Sequence, residues 1–236
     1  MSSVGIMVSE FLGTAVLVLI GNGTVAATML KGSLAKGSGG DWLIIVIGWG
    51  FGVFAGASVA DGSGGHINPV VTSALAITGA VSWSAVPLYF AGQLAGGIVG
   101  ATLCWCAFKL QFDHNDNNDS TRAVFCTVPG LRNLRWNLVT EAIATFVLVL
   151  WILMNPSTNG SLGYAAVAFV VIAIGFGLGG PTGYAINPAR DLGPRIAYAL
   201  LPIPGKGTTD WGYAWVPIVG PVIGSTLAAV VAAGLS

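Results

Sequence analysis

Two Asn-Pro dipeptides and a handful of ionisable residues carry nearly all the chemistry available to this chain. Asn68-Pro69 and Asn187-Pro188 each open a short apolar stretch, 68–78 (NPVVTSALAIT) and 187–201 (NPARDLGPRIAYALL), after the glycine-containing lead-ins DGSGGHI and GGPTGYAI. Proline suits the first helical position, where no backbone N–H is required. Asparagine just before it is a favoured N-cap whose side-chain oxygen takes an orphan N–H. That assignment leaves the NH₂ group of each Asn free to donate outward. If the two short helices enter a membrane from opposite faces, two positive dipole ends and two amide donors meet near its middle. Such a junction welcomes a neutral oxygen acceptor and repels cations. A plain capped turn would account for one copy, but two copies in matched positions point to a built site.

The ionisable groups are few enough to take singly. Arg190 stands in an apolar segment, where a charge is costly and normally faces a cavity; the alternative is an interfacial arginine reaching for headgroups. Arg195 reads as structural or interfacial. Glu10 and Glu141 are either a proton relay or buried acceptors that brace irregular backbone, and their matched placement favours the second. His66 could sense pH, but a hydrogen bond within its loop is the simpler reading. No nucleophile-plus-base pair, phosphate loop or metal-ligand spacing appears, so no catalytic residue, cofactor or metal is expected and the chain does not read as an enzyme. Cys104, Cys106 and Cys126 cannot all pair and form no CxxC, which suits structural thiols. Asn22, Asn118 and Asn159 each begin a glycosylation-like triplet, read as coincidence.

The elements that must position these residues are membrane helices. Only 8% of the 236 residues are charged and 54% are hydrophobic, so there is too little charge to cover a surface in water. Nine basic and nine acidic side chains balance, which argues against a nucleic-acid partner. Six apolar runs approach the ~20 residues a crossing needs, at roughly 6–30, 42–60, 84–108, 136–154, 162–180 and 213–234. The 35 glycines fit helices that attract one another by close backbone approach. The start of the chain, MSSVGIMVSEFLG, lacks a basic leader and reads as the first crossing.

Three markers recur in one order. Glu10 opens EFLGT and Glu141 opens EAIAT; Asn68-Pro69 follows the second run and Asn187-Pro188 the fifth; Gly92/Gly96 sit in the third run and Gly220/Gly224 in the sixth. Three crossings per copy is an odd number, so the second copy must be inverted. Inverted repeats with interrupted helices in matching places are a transport signature. The reading is one domain over residues 1–236, with a first repeat about 1–109, a polar linking loop about 110–135 and a second repeat about 136–236.

HINPVVT and YAINPARDLGPR resemble the paired Asn-Pro-Ala signatures of the aquaporin family, present here as Asn68-Pro69-Val70 and Asn187-Pro188-Ala189. The likeness covers essentially the whole chain. It implies an all-α membrane fold of six transmembrane helices and two re-entrant half-helices, each monomer with its own pore, assembled as homotetramers. It also implies a ladder of backbone carbonyls from Gly64, Gly65, His66, Thr182, Gly183 and Tyr184, with Glu10 and Glu141 bracing those loops. The family's selectivity filter falls on Trp49, Gly175, Tyr184 and Arg190. Glycerol facilitators typically show Trp, Gly, Phe and Arg there, with Asp after the Arg, and Asp191 fits that class. Tyr184 in place of Phe puts a hydroxyl at the mouth, and Val70 in place of Ala adds methyl groups beside the midpoint. Trp49 and Tyr184 are expected to form the wall opposite Arg190.

The implied function is a passive channel for glycerol and related small neutral solutes together with water, closed to protons and ions, with urea and dihydroxyacetone as further candidates. A water-preferring channel or a coupled secondary transporter would be the alternatives. The implied location is the cell membrane, with several crossings of the bilayer and both termini in the cytoplasm. All nine Lys and Arg then fall on the outer segments, the reverse of the usual bias.

Overall fold

The computed structural model describes residues 2–115, 117–155 and 162–235, and all regular structure among them is helical. In chain order the helices are α1 (Ser3–Met29), α2 (Asp41–Val59), α3 (Pro69–Ile77), α4 (Val86–Ala107), α5 (Lys109–His114) and α6 (Arg122–Phe125). They continue with α7 (Leu134–Met154), α8 (Tyr164–Leu178), α9 (Pro188–Leu200) and α10 (Val216–Leu235). Helices α1, α2, α4, α7 and α10 are long and apolar enough to cross a membrane. The fifth expected crossing, α8, has 15 described residues, or about 22 Å at 1.5 Å per residue. Gly179 caps its C-terminus, and Gly180 and Pro181 follow it, residues that favour the end of a helix. The polar stretch 110–135 is less featureless than its composition suggests, because α5 and α6 form within it.

Half-helices α3 and α9 begin as the capping residues dictate. Asn68 Oδ1 accepts from Val70 N at 3.1 Å, and Asn187 Oδ1 accepts from Ala189 N at 3.0 Å and Arg190 N at 3.2 Å. Pro69 and Pro188 occupy the first helical positions.

Glycine decides how the long helices meet. On α4, a Cβ at Gly92, Gly96 or Gly100 would lie 2.4 Å from the carbonyl oxygen of Met7, Phe11 or Ala15 of α1. On α10, a Cβ at Gly224 would lie 2.2 Å from the Ala142 oxygen of α7. Helix α1 therefore runs along α4 as α7 runs along α10, and α2 lies against α8. The half-helices cross over: α3 packs on α10 and α9 on α4, each against the opposite half of the chain. Large apolar side chains such as Phe51, Phe54, Ile143, Phe169, Phe176 and Val230 face outward, as hydrocarbon surroundings require. Gly224→Val is expected to lower thermal stability in detergent, since overpacking costs typically ~1–3 kcal/mol. Gly234, with nothing within 4 Å of its added Cβ, supplies the control: Gly234→Val should unfold with wild type.

Candidate functional site

The two Asn-Pro segments meet through their side chains. Asn68 Nδ2 donates to the Ile186 carbonyl at 2.9 Å, and Asn187 Nδ2 donates to the Ile67 carbonyl at 2.8 Å. Each amide thus spends one N–H on the opposite segment and keeps the other, which corrects the expectation of a wholly free NH₂. The residues just before the asparagines carry matching strain, with φ of 45° at Ile67 and 44° at Ile186. A β-branched residue in that region costs on the order of 1–3 kcal/mol and persists only where its surroundings over-determine it. Here the surroundings are two buried carboxylates. Glu10 accepts from Ile67 N at 2.7 Å, His66 N at 3.1 Å, Ser63 Oγ at 2.6 Å and Gln93 Nε2 at 2.8 Å. Glu141 accepts from Ile186 N at 2.9 Å and Ala185 N at 3.0 Å.

A cavity of about 120 Å³ runs beside this junction. It is lined by Gly64 to Asn68 and Tyr184 to Asn187, together with Arg190 and the apolar side chains of Trp49, Val53, Leu148, Val167 and Val171 among others. Of the residues expected to supply the ladder, Gly64, Gly65, His66 and Tyr184 line the cavity, whereas Thr182 and Gly183 do not, and Thr182 is fully buried; Ala185 and Ile186 line it instead. The backbone is left-handed at Gly65 (φ 63°) and at Tyr184 (φ 38°), three residues before each Asn. Gly64 also has positive φ, at 97°. Pro69, Val70, Pro188 and Ala189 are absent from the lining. Val70 is 1% exposed, so its extra methyl groups fill protein and not the cavity. His66 lines the cavity, stacks on Tyr89 and places Nδ1 3.0 Å from Thr72 Oγ1.

Of the four expected filter positions, Trp49, Tyr184 and Arg190 line the cavity and Gly175 does not, and the arrangement differs from the one expected. Arg190 does not stand opposite Trp49; its guanidinium lies over the indole, 3.7 Å from the ring centroid. Among the described residues that guanidinium hydrogen-bonds to no protein group, so the aromatic face, worth ~0.5–2 kcal/mol to a cation, is its partner. Gly175 faces Val46 and the Tyr184 ring, whose atoms lie 2.8 Å and 3.0 Å from an added Cβ. The Tyr184 hydroxyl is sealed from solvent and finds no hydrogen-bond partner among the described residues. It therefore does not enrich the mouth as its chemistry suggested, because the ring is turned edge-on against Trp42 and tucked beside Gly175.

A second set of residues, only partly visible in the sequence, surrounds Arg190. Asp191 and Arg195 are fully buried and paired, with Nε to Oδ1 at 2.8 Å. Asp191 also accepts from Thr127 N at 2.8 Å and Thr127 Oγ1 at 2.6 Å. Arg195 donates to the carbonyls of Thr209, Asp210 and Thr127. Asp210 in turn pairs with Arg132 and Arg122. Burial opposes its ionisation, but the hydrogen bonds from Arg132 and the charges of Arg132, Arg122 and Arg195 hold its carboxyl below the usual range. Thr127 and Gln93 carried no motif that could have singled them out. Asn118 is buried and donates to the Phe112 and Pro204 carbonyls, and Asn22 is buried in α1, so neither is an open glycosylation acceptor. Asn159 lies outside the described residues. Cys104, Cys106 and Cys126 are unpaired.

Comparison with known proteins agrees in sequence and in shape. A family model described as major intrinsic protein matches residues 1–232. A probable glycerol uptake facilitator protein from Thermotoga maritima is 47% identical over 228 residues, covering 95% of this chain and 96% of that protein. The glycerol uptake facilitator protein of Bacillus subtilis is 47% identical over 225 residues, covering 94% and 81%. The X-ray structure of the aquaglyceroporin from Plasmodium falciparum superposes with a TM-score of 0.84 at 30% identity, covering 97% of this chain and 95% of that one.

Proposed function

Since the chain belongs to the major intrinsic protein family, we propose that it forms a passive transmembrane channel for glycerol and related small neutral solutes, with water, as a single unit of two inverted repeats. The observation that carries this reading is the crossed pair of asparagine amides beside a narrow cavity, with Arg190 and Trp49 in the same wall. Each amide keeps an N–H for a passing oxygen, and each sits at the positive end of a half-helix. A hydroxyl or water oxygen is welcome there; a cation meets two like-signed dipole ends. Arg190 presents fixed N–H donors that find no acceptor among the described residues, and the Trp49 ring offers its apolar face. A polyol brings hydroxyls to the first and carbon to the second. Its oxygens compete with the indole for the guanidinium, so the entering solute itself loosens the Arg190–Trp49 contact.

Urea and dihydroxyacetone share the size and polarity of glycerol and belong to the same class. The working assembly is a homotetramer in the cell membrane with cytoplasmic termini, each copy a channel and not an enzyme. Stopped-flow light scattering of proteoliposomes tests the reading: glycerol and water should equilibrate fast, without saturation, and six-carbon polyols should be excluded. Planar-bilayer recording of the same protein should show no protein-dependent proton or ion current. Saturable uptake driven by a proton or sodium gradient would replace the channel with a coupled transporter.

Glu10 separates those two outcomes. With four donors around it, one oxygen cannot become an NH₂ group without facing another donor, and a buried unsatisfied group costs about 1–3 kcal/mol. Glu10→Gln is expected to lower thermal stability and solute flux together while leaving flux independent of pH. Intact stability with loss of a pH-dependent component would make Glu10 a proton carrier.

A further inference from the structure

We propose that Tyr164, tied to Asp61, forms a second constriction at the end of the cavity away from the Arg190–Trp49 pair and sets the rate at which polyhydroxy solutes cross that mouth. The inference rests on the channel reading and adds a specificity-determining residue to it. Helix α8 carries both Gly175 and Tyr164, and eleven residues at 1.5 Å each separate their levels by about 16 Å along its axis. Tyr164 lines the same cavity as Trp49 and Arg190. Its hydroxyl donates to Asp61 Oδ1 at 2.9 Å, reaching from the second half of the chain to the 3-10 turn Asp61–Ser63 of the first. Its ring packs so closely against Gly65 that an added Cβ there would stand 2.9 Å and 3.0 Å from two ring carbons. Gly65 also has a φ of 63°, so both the backbone and the ring require glycine.

These contacts put the aromatic ring beside Gly65 at the start of the irregular segment, with Leu75, Ile152 and Val167 lining the same cavity. Carbon surface beside fixed polar groups is the arrangement that Trp49 and Arg190 make at the other end. A solute with a hydroxylated edge and a carbon edge therefore meets a matched pair of surfaces twice. Asp61 is the only Asp, Glu, Lys or Arg between residues 42 and 108, and its bond to Tyr164 holds the ring at the wall. Without that bond the side chain turns about two torsions and sweeps the opening.

The test combines covalent labelling with the tether. In a background with Cys104, Cys106 and Cys126 changed to Ser, Tyr164→Cys is reconstituted and labelled with a benzyl methanethiosulfonate reagent, with labelling confirmed by mass. Labelled protein is expected to lose most of its glycerol flux and to regain it with dithiothreitol. Full flux through labelled protein would remove Tyr164 from the path. Tyr164→Phe and Asp61→Ala are each expected to slow glycerol about threefold, the factor one ordinary net hydrogen bond supplies, and the double variant no further. Asp61→Asn keeps an acceptor oxygen and should conduct as wild type; a fall equal to that of Asp61→Ala would overturn the tether. Unmodified protein that passes no glycerol at all would instead defeat the channel reading, so the two failures are distinct.

Discussion

Gly175→His is expected to cut glycerol flux by roughly tenfold or more while water flux falls far less, the range over which added bulk in a fitted pocket discriminates between substrates. The structure sharpens the reason. Gly175 does not border an empty slot that a side chain could fill, because a Cβ there already meets Val46 Cγ1 at 2.8 Å and the Tyr184 ring at 3.0 Å. An imidazole there must displace Val46 and the Tyr184 ring, and Tyr184 lines the cavity with Arg190 and Trp49, so the opening changes shape from the side. Gly175→Ala, with the same Cβ and no ring, should fall between wild type and histidine in glycerol-to-water ratio. Stopped-flow measurement of both solutes on the same liposomes gives that ratio directly. Three equal ratios would show that these residues are not the filter.

Arg195→Met should destabilise the protein by about 3–5 kcal/mol, because removing one member of a buried ion pair strands the other charge. Both side chains are fully buried, and Arg195 gathers Asp191, Thr127, Thr209 and Asp210 around one guanidinium. Asp191→Leu alone should cost a similar amount, leaving Arg195 without its anion and Thr127 without its acceptor. The double change Asp191→Leu with Arg195→Met should recover much of the loss, since a well-packed apolar pair often equals a buried ionic one. Thermal unfolding in one detergent compares all three. If Arg195→Met unfolds with wild type, the pair is not what fastens the loops around Arg190 to α9.

The parts of this protein legible in its sequence are those governed by local or compositional physics. Scarce charge required a membrane, and apolar run length placed the crossings, though α8 proved shorter, with Gly179, Gly180 and Pro181 following it. Asn-Pro set two helix starts through capping chemistry that needs only adjacent residues, and the repeat of Glu10 at Glu141 marked both loops. The number of glycines pointed to close helix contacts, and the structure places them at Gly92, Gly96 and Gly100 of α4 and Gly224 of α10. What only the tertiary structure decided lies between distant segments. The crossed bonds of Asn68 and Asn187 join residues 118 and 120 positions apart, and the Tyr164–Asp61 bond spans 103. The stacking of Arg190 on Trp49, the sealed Tyr184 hydroxyl and the buried Val70 likewise depend on how whole helices are set against one another. Residue type says what a side chain can bond; which partner it meets is fixed by the relative placement of elements that share no local sequence.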